Sequence, residues 1–462
     1  MGFQYIGLAN DLAKKIEKGS FNVGDKLPSL RNMHALTGLS VSTVYSAYIE
    51  LENRGLVEAR QKSGFFVKPP FHRILPLPTM KNPPATPRKV SVNALVEFIM
   101  EAIGDPTVLP LGTAIPANEL LPVKRLARVM RQAMLRYVRS GDLSYGPPAG
   151  WTELRQQIAK RMVMVGGIDG IGAADILVTS GCLEAIQLCL RAVAGPGDTI
   201  LVESPTFVCY LQLIEDLNMY ALEVPADPVS GIDMDSVKKA LATTRIRACI
   251  LNPTFQNPLG FTMPDHAKEE FVNLMSNHHI PIIEDDIYGD LYFGNTRPKT
   301  LKSFDEKDMV LYCASASKTL SPDLRIGWTV PGRFMDKVKR LKINSSMATS
   351  KFNQLVVVDF LKEGYYDRHL RQLCRAVKAQ MVNTAQAVAR HFPANTKITT
   401  PEGGLVLWGN WTGAWTAWPS LNRRSMKKFS SRREPSAPAR GSTKTASGSV
   451  AATRGMTRWL RA

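Results

Sequence analysis

The stretch Ser315-Ala-Ser-Lys-Thr-Leu-Ser-Pro-Asp-Leu-Arg-Ile-Gly327 is the most informative part of this chain. It places hydroxyl side chains at Ser315 and Ser317 just before Lys318, and an arginine, Arg325, seven residues after the lysine. A lysine amine forms a Schiff base with an aldehyde, while hydroxyls and a guanidinium bind phosphate. Pyridoxal 5′-phosphate (PLP) carries both groups, and the stretch predicts a site for it. For this stretch alone, a polar surface loop is the alternative.

Two segments upstream carry polar side chains suited to the same cofactor. One is Asn257-Pro-Leu-Gly260, and the other, Asp285-Asp-Ile-Tyr288, follows the apolar run at 280–283. An apolar run that ends in acidic residues is typical of a buried parallel strand, and open α/β sheets bind ligands at the carboxyl ends of such strands. An aspartate there keeps a pyridine nitrogen protonated, which makes the cofactor an electron sink.

The segment from Ile176 to Ile186 predicts a strand, a turn of small residues and a helix. Because the turn contains Gly181 and Cys182, the free N–H groups of the helix start are expected to form a cradle for phosphate. Such a junction is common and is a weak signal by itself. The order of all four elements along one chain argues against coincidence.

The four elements resemble those of the fold-type I aminotransferases of class I/II, from about Ser91 to Trp408. The resemblance implies a large α/β domain that binds PLP, with Lys318 as the Schiff-base lysine and Asp285 beside the pyridine nitrogen. It implies contacts of Tyr288 and Asn257 with the phenolic oxygen, of Phe207 with the ring, and of Gly181, Cys182, Ser315 and Arg325 with the phosphate, with Ser317 as a further cofactor contact. It also identifies Tyr145 as the tyrosine that reaches the phosphate of a neighbouring subunit, which implies a homodimer.

The first 68 residues have a different pattern. Leu8, Leu12, Ala13 and Ile16 recur at helical spacing before Gly19, a second helix is predicted from Ser29 to Leu36, and a third from 41 to 53, capped by Ser40. Two helices joined by a short turn with a glycine form a helix-turn-helix, whose second helix enters the DNA major groove. The segments 56–60 and 64–67 alternate as two short strands and predict a wing.

This ordered set resembles the winged-helix domain of the GntR family over residues 1–68. The resemblance implies that the residues facing double-stranded DNA are Arg31, Ser40, Ser42, Thr43 and Tyr45, with the wing at Lys62 and Gly64. GntR recognition helices usually carry a basic residue where this chain has Val41, so bidentate guanine readout is unavailable there. Both resemblances in this order point to the MocR/PdxR subgroup of GntR regulators.

Composition limits the other classes of function. The six cysteines form no C-x-x-C pair and the seven histidines show no ligand spacing, so we expect a reducing, cytoplasmic location and no metal. We find neither an apolar run long enough to cross a bilayer nor a signal peptide, and we expect no membrane partner. Residues 69–90 form a linker with seven prolines between 69 and 87, which predicts an extended spacer of roughly 60 Å that reaches a partner subunit.

The chain is therefore expected to consist of the winged helix (1–68), the linker (69–90), an aminotransferase-like domain (91–409) and a basic tail (410–462). The tail holds eleven of the basic residues and one acidic residue, so it accounts for +10 of the net charge of +18. Its composition predicts a low-complexity segment without a core. A fold-type I domain still needs part of its small domain there, so one hypothesis is a shift of reading frame near Gly409. The small domain would then be incomplete, with an exposed apolar face at 405–407.

Two functions from different classes remain open at this point, and the tail keeps a third interpretation open, that of a degenerate, non-functional gene product. The first is a transcription factor whose PLP domain senses PLP, a small amine or an amino acid. The second is a PLP-dependent aminotransferase with an accessory winged helix. Aminotransferases of this type hold the substrate carboxylate with an arginine from the small domain, and no arginine after Trp408 matches that role. We therefore favour the regulator, and leave open whether the chain turns over a substrate.

Overall fold

The computed structural model describes residues 4–22, 24–53, 56–60, 63–68, 75–80, 82–104, 112–412 and 445–451. The predicted wing residue Lys62 and most of the tail lie outside these ranges. No helix in the described ranges has the length and apolarity that a membrane span requires.

The N-terminal domain contains the predicted helix-turn-helix and wing. Its elements are α1 (Gln4–Glu17), α2 (Leu30–Thr37), α3 (Val41–Asn53), β1 (Val57–Arg60) and β2 (Gly64–Val67). The side chain of Ser29 accepts from the N–H of Asn32 and so starts α2, and Gly38 ends the helix in the left-handed conformation. The two strands pair antiparallel, and Tyr48, Leu51 and Val57 are among the buried residues that form the core of this domain.

A mixed sheet of eight strands forms the large domain, in the order β3-β10-β9-β8-β7-β4-β5-β6. Its strands are β3 (Leu177–Thr179), β4 (Thr199–Ser204), β5 (Tyr220–Asp227), β6 (Gly231–Ile232), β7 (Ile246–Leu251), β8 (Ile282–Asp285), β9 (Val310–Ser315) and β10 (Gly327–Val330). The five strands from β9 to β5 in this order run parallel and are mostly buried on both faces, as the apolar runs predicted.

Helices cover both faces of this sheet. They are α4 (Asn93–Gly104), α5 (Val123–Arg139), α6 (Thr152–Met164), α7 (Cys182–Val193), α8 (Val208–Asp216), α9 (Met234–Thr243), α10 (Asp265–Asn277), α11 (Met335–Ser346), α12 (Lys351–Lys362) and α13 (Tyr365–His391). The functional side chains lie on β8, on the loop between β9 and β10, and at the start of α7.

A smaller sheet of three antiparallel strands packs against α13. Its strands are β11 (Lys397–Ile398), β12 (Val406–Thr412) and β13 (Thr445–Ala451), so part of the predicted low-complexity tail pairs with β12. The expected exposed apolar face at 405–407 is wrong, because Leu405, Val406 and Leu407 are at most 3% exposed. Leu405 and Leu407 share a core with apolar residues of α13.

The described part of the linker is attached to the large domain along its length. The carbonyl of Pro76 accepts a hydrogen bond from the N–H of Ile398 at 2.9 Å, and Arg88 forms an antiparallel bridge with Ala221. A proline has no N–H, but its carbonyl remains free to pair with a strand. The described linker residues therefore lie against the large domain, and the reach to a partner subunit stays a prediction.

Candidate functional site

The loop between β9 and β10 places Lys318 at the centre of the candidate site. Its Nζ donates to the carbonyl of Ala114 at 2.7 Å. Burial lowers the pKa of Lys318 to about 8, although the charge of Asp285 acts in the opposite direction. A buried lysine with a lowered pKa has a larger fraction of neutral, nucleophilic amine near neutral pH than an exposed one.

Asp285 ends β8, as the sequence predicted, and is 4% exposed. Its carboxylate accepts from the hydroxyl of Tyr210 at 2.5 Å, from the thiol of Cys182 at 3.3 Å and from the N–H of Ile287 at 3.0 Å. Burial raises the pKa of Asp285, and these three donors oppose that rise. The side chain is therefore held in one orientation, as a partner for a heterocyclic nitrogen requires.

Tyr288 and Asn257 lie side by side, with the amide Nδ2 of Asn257 3.4 Å from the hydroxyl of Tyr288. Burial raises the pKa of Tyr288, so this hydroxyl remains a neutral donor. Asn252 holds both neighbouring segments, because its Oδ1 accepts from the N–H of Asn257 at 2.8 Å and its Nδ2 donates to the carbonyl of Asp285 at 2.7 Å.

The start of α7 forms the predicted cradle. Gly181 has a φ of +95° and no side-chain cap, so the first N–H groups of the helix have no side-chain acceptor there. A Cβ on Gly181 would lie 2.5 Å from Nη2 of Arg325, and one on Gly327 would lie 2.4 Å from the carbonyl carbon of Gly181. Arg325 donates to the carbonyl of Ser180 at 2.6 Å. Open N–H groups beside a guanidinium, with no room for a side chain, fit a phosphate.

Of the other predicted cofactor contacts, Ser315, Ser317 and Phe207 lie near the residues described above, and Tyr145 does not. Ser315 and Ser317 are buried in the lysine loop, where the N–H of Ser317 donates to Oγ of Ser315 at 3.3 Å. Phe207 packs edge to face on Tyr210 at 5.4 Å. Tyr145 is 84% exposed and is not part of this cluster in its own chain.

The predicted DNA-facing residues gather at the exposed start of α3. The Oγ of Ser40 accepts from the N–H of Thr43 at 3.1 Å and lies 2.8 Å from the hydroxyls of Ser42 and Thr43. Val41 and Tyr45 are 42% and 50% exposed, so this face is open. The remaining two described residues of the prediction, Arg31 and Gly64, are exposed as well.

Sequence reasoning missed two groups of buried polar residues. Tyr210 and Asn252 orient Asp285, and the only signal for Tyr210 is its place one helical turn after Phe207. A second group lies behind the lysine loop, where Arg161 and Arg297 both bind Asp290, at 3.0 Å each. Arg161 and Asp290 are 129 positions apart, so no local pattern predicts their ion pair, whereas Arg297 follows Asp290 by seven positions.

Comparison with known proteins confirms the two family resemblances that the sequence predicted. The family profile for aminotransferase class I and II matches residues 107–432, and that for bacterial regulatory proteins of the gntR family matches residues 4–67. The uncharacterized HTH-type transcriptional regulator YdcR of Escherichia coli K12 is 38% identical over 405 residues, which cover 88% of this chain and 86% of YdcR.

This chain is a MocR-type regulator of the GntR family. It therefore joins a DNA-binding winged helix to an aminotransferase-like domain, and its cofactor is PLP. Among solved structures, it is similar to kynurenine aminotransferase of Pyrococcus horikoshii, with a TM-score of 0.65 and 26% identity over 73% of this chain and 85% of the enzyme.

A second solved structure is LysN, the α-aminoadipate aminotransferase of Thermus thermophilus, complexed with N-(5′-phosphopyridoxyl)-L-leucine. It has a TM-score of 0.66 and 26% identity over 79% of this chain and 92% of that enzyme. Both likenesses agree with the predicted fold-type I class.

Proposed function

We propose that this MocR-type regulator senses a small amine or amino acid at Lys318 and transmits its binding to DNA through α13. The supporting observation is that one helix contacts both the lysine loop and the winged helix. When bound, PLP supplies an aldehyde that can carry either the amine of Lys318 or the amine of an effector. The residues of this chain bind PLP, and we infer that their positions depend on which of the two amines is attached to it.

The first end of α13 contacts the residue that follows Lys318. The hydroxyls of Tyr366 and Thr319 are 2.7 Å apart, and Nε2 of His369 lies 2.7 Å from the carbonyl of Thr319. Both the side chain and the backbone of Thr319 are therefore held by α13. A change in the position of Lys318 acts on this helix through the adjacent residue.

The far half of α13 contacts the winged helix. α3 packs against α13, and Nζ of Lys68 donates to Oδ1 of Asn383 at 2.9 Å. Tyr366 and Asn383 are seventeen residues apart on one uninterrupted helix, which corresponds to about 25 Å. Because α13 has neither proline nor glycine, it moves as a rigid element. The DNA-facing start of α3 stays exposed in this arrangement.

We also propose a cytoplasmic homodimer with shared sites. Tyr145 and Leu143 are 84% and 76% exposed on the loop after α5, although both are large and carry apolar surface. A second subunit that covers this loop would bury Leu143 and Tyr145. Tyr145 would then reach the phosphate cradle of that second subunit. Sedimentation of the full chain, with Tyr145→Ala as the variant, tests both parts of this proposal.

The coupling is tested with full-length, PLP-loaded protein. DNA fragments that co-purify with the protein identify an operator, and its affinity is then measured with and without each of the twenty amino acids. Asn383→Ala removes the bond to Lys68 and is expected to reduce the ligand-dependent change in DNA affinity by roughly five-fold, or about 1 kcal/mol. PLP content is expected to be unchanged.

The matched control is Asn277→Ala, because Asn277 accepts from Nζ of Lys307 at 2.8 Å on the exposed surface of the large domain. This variant loses the same kind of bond away from α13 and should keep the full ligand response. An equal response in wild type and Asn383→Ala would exclude the path through α13.

An aminotransferase is the second candidate function, because Lys318, Asp285, Tyr288 and Asn257 form a cofactor site of the kind that such an enzyme requires. A catalytic chain would convert an amino acid to a keto acid in the presence of a keto-acid acceptor, over many turnovers. A regulator would bind the amino acid and change its DNA affinity with no more than one keto acid formed per site.

A further inference from the structure

A second cavity lies between the start of α5 and the first half of α13. It has a volume of about 700 Å³, within the range of small-molecule sites. None of the cofactor-site residues described above lines it. Its walls are the turn at 118–122, the first turns of α5, and the face of α13 that carries Tyr365, Arg368 and Gln372.

The side chains of this cavity are strongly cationic. Lys124 and Arg128 are four residues apart on α5 and Arg125 is three residues before Arg128, so the three lie close together on that helix. Arg368 faces them from α13. Among the described residues of the lining, Glu119 is the one acidic residue, so these residues carry an excess of three positive charges.

The ion pairing of these cations differs from that of Arg136. Arg136, also on α5, forms an ion pair with Asp359 at 2.5 Å. Within the described residues, no carboxylate lies within ion-pair distance of the four cavity cations. Like charges at this spacing destabilise a helix, and an anion in the cavity would relieve that repulsion.

One of the guanidinium groups is held in place. The guanidinium carbon of Arg125 lies 4.2 Å from the ring centroid of Tyr365, within the range of a cation–π contact. A guanidinium over a ring face still has N–H groups for an acceptor. Paired N–H groups of a guanidinium match the paired oxygens of a phosphate.

We propose that this cavity binds a small molecule that carries two or more phosphate groups. The volume suits a molecule of nucleotide size, and the charge excess suits a multiply charged anion. The phosphates of a DNA backbone have the same chemistry. We favour the small molecule because the cations converge from two helices on one concave site.

The cavity also adjoins the lysine loop. His369 contributes to its lining, and the same imidazole contacts the carbonyl of Thr319 at 2.7 Å. A phosphate ligand here would therefore act on the same first turns of α13 as the proposed amine effector. This site is separate from the proposed sensing at Lys318 and does not depend on it.

The test uses inorganic pyrophosphate and full-length, PLP-loaded protein, in which PLP already fills the phosphate cradle. Calorimetry at physiological salt is expected to show saturable binding. The double variant Arg125→Gln, Arg368→Gln should weaken this binding at least ten-fold. The control Arg131→Gln, Arg371→Gln removes equal charge from exposed positions of the same two helices outside the cavity and should change it less than two-fold.

Equal weakening in both double variants would overturn the proposal, since it would reflect net charge alone. Absence of saturable binding by wild type would also overturn it. If the cavity variant instead lowered the salt dependence of DNA binding, by about two units of slope, without pyrophosphate binding, the cations would be contacts for the DNA backbone. Thermal unfolding of each variant checks that the fold is kept, and none of these readouts requires an amine effector.

Discussion

Two helix starts in this protein are proposed to contact a phosphate-bearing partner, and they are built in opposite ways. At the start of α3, Ser40 accepts the N–H of Thr43 with its own hydroxyl, and the surrounding side chains are exposed. At the start of α7, Gly181 supplies no cap, and the cradle is closed by Arg325 and Gly327.

The difference follows from where each partner binds. At the start of α3 the protein itself supplies an acceptor for the N–H of Thr43, and the neighbouring hydroxyls lie on an exposed surface. The start of α7 leaves N–H groups open inside the protein, and this arrangement is stable when an anion accepts from them. Changes at the buried start are therefore expected to have larger effects than changes at the exposed one.

The largest effect is expected for Gly181→Ala. The new Cβ would meet Nη2 of Arg325 at 2.5 Å in a backbone conformation that favours glycine. PLP affinity should fall about 100-fold through loss of charge-assisted hydrogen bonds, as measured by equilibrium dialysis. Gly170→Ala is the control, because Gly170 also has a positive φ but has nothing within 4 Å of a Cβ. Equal PLP loss in both variants would contradict the role of the cradle.

The rate of PLP capture by the apo protein is expected to depend on pH with a midpoint more than two units below the ordinary pKa of lysine. The neutral amine of Lys318 reacts, so the rate should rise with pH and level off above about 8, rather than near 10.5, the ordinary pKa of lysine. The unfolded chain binds more protons between these two values, so apo stability should rise with pH across the same window. Asp285→Asn should lower the midpoint, because the carboxylate raises the pKa of Lys318. A midpoint near 10 would show that Lys318 is solvated.

A smaller effect is expected for Ser40→Ala at the exposed helix start. Loss of the cap should cost about 1 kcal/mol of winged-helix stability and weaken DNA binding, with PLP content unchanged. Ser350→Ala removes a similar cap, from α12 in the large domain, and should leave DNA affinity as in wild type. Thermal unfolding and operator binding of the full chain measure both; unchanged operator affinity in Ser40→Ala would rule out this helix start as a DNA contact.

The smallest effect is expected for Arg31→Ala. A phosphate contact by this exposed side chain should appear as a salt dependence of DNA binding that is shallower by about one unit of slope, with the sequence preference unchanged. Lys239→Ala, an exposed cation on α9, should not alter the slope. A change in sequence preference in Arg31→Ala would assign this residue to base contacts instead.

The sequence predicted those parts of the site that depend on local patterns. Gly181 and Lys318 lie in short motifs whose spacing reflects one turn or one loop, and the structure places them at the start of α7 and on the loop between β9 and β10. Tyr210 and Asn252 were missed because Asp285, which both contact, lies far from them along the chain, and the ion pair of Arg161 with Asp290 was missed for the same reason. The prediction of an exposed apolar face at 405–407 was wrong for a similar reason. The helix that buries this face, α13, is a separate element, and the local sequence does not show that the two pack together.

The sequence by itself determined the order of the two domains, the helix-turn-helix with its wing, the α/β class and the residues of the PLP motifs. The individual helices and strands follow from periodicity and from spacing within a few turns of chain, whereas the fold-type I class and the roles of the PLP residues are what the resemblance to known families implies. Only the tertiary structure decided that α13 links Thr319 to Lys68, and that four cations converge on one cavity. Such contacts arise from packing between elements, where distances along the chain carry no information about distances in space.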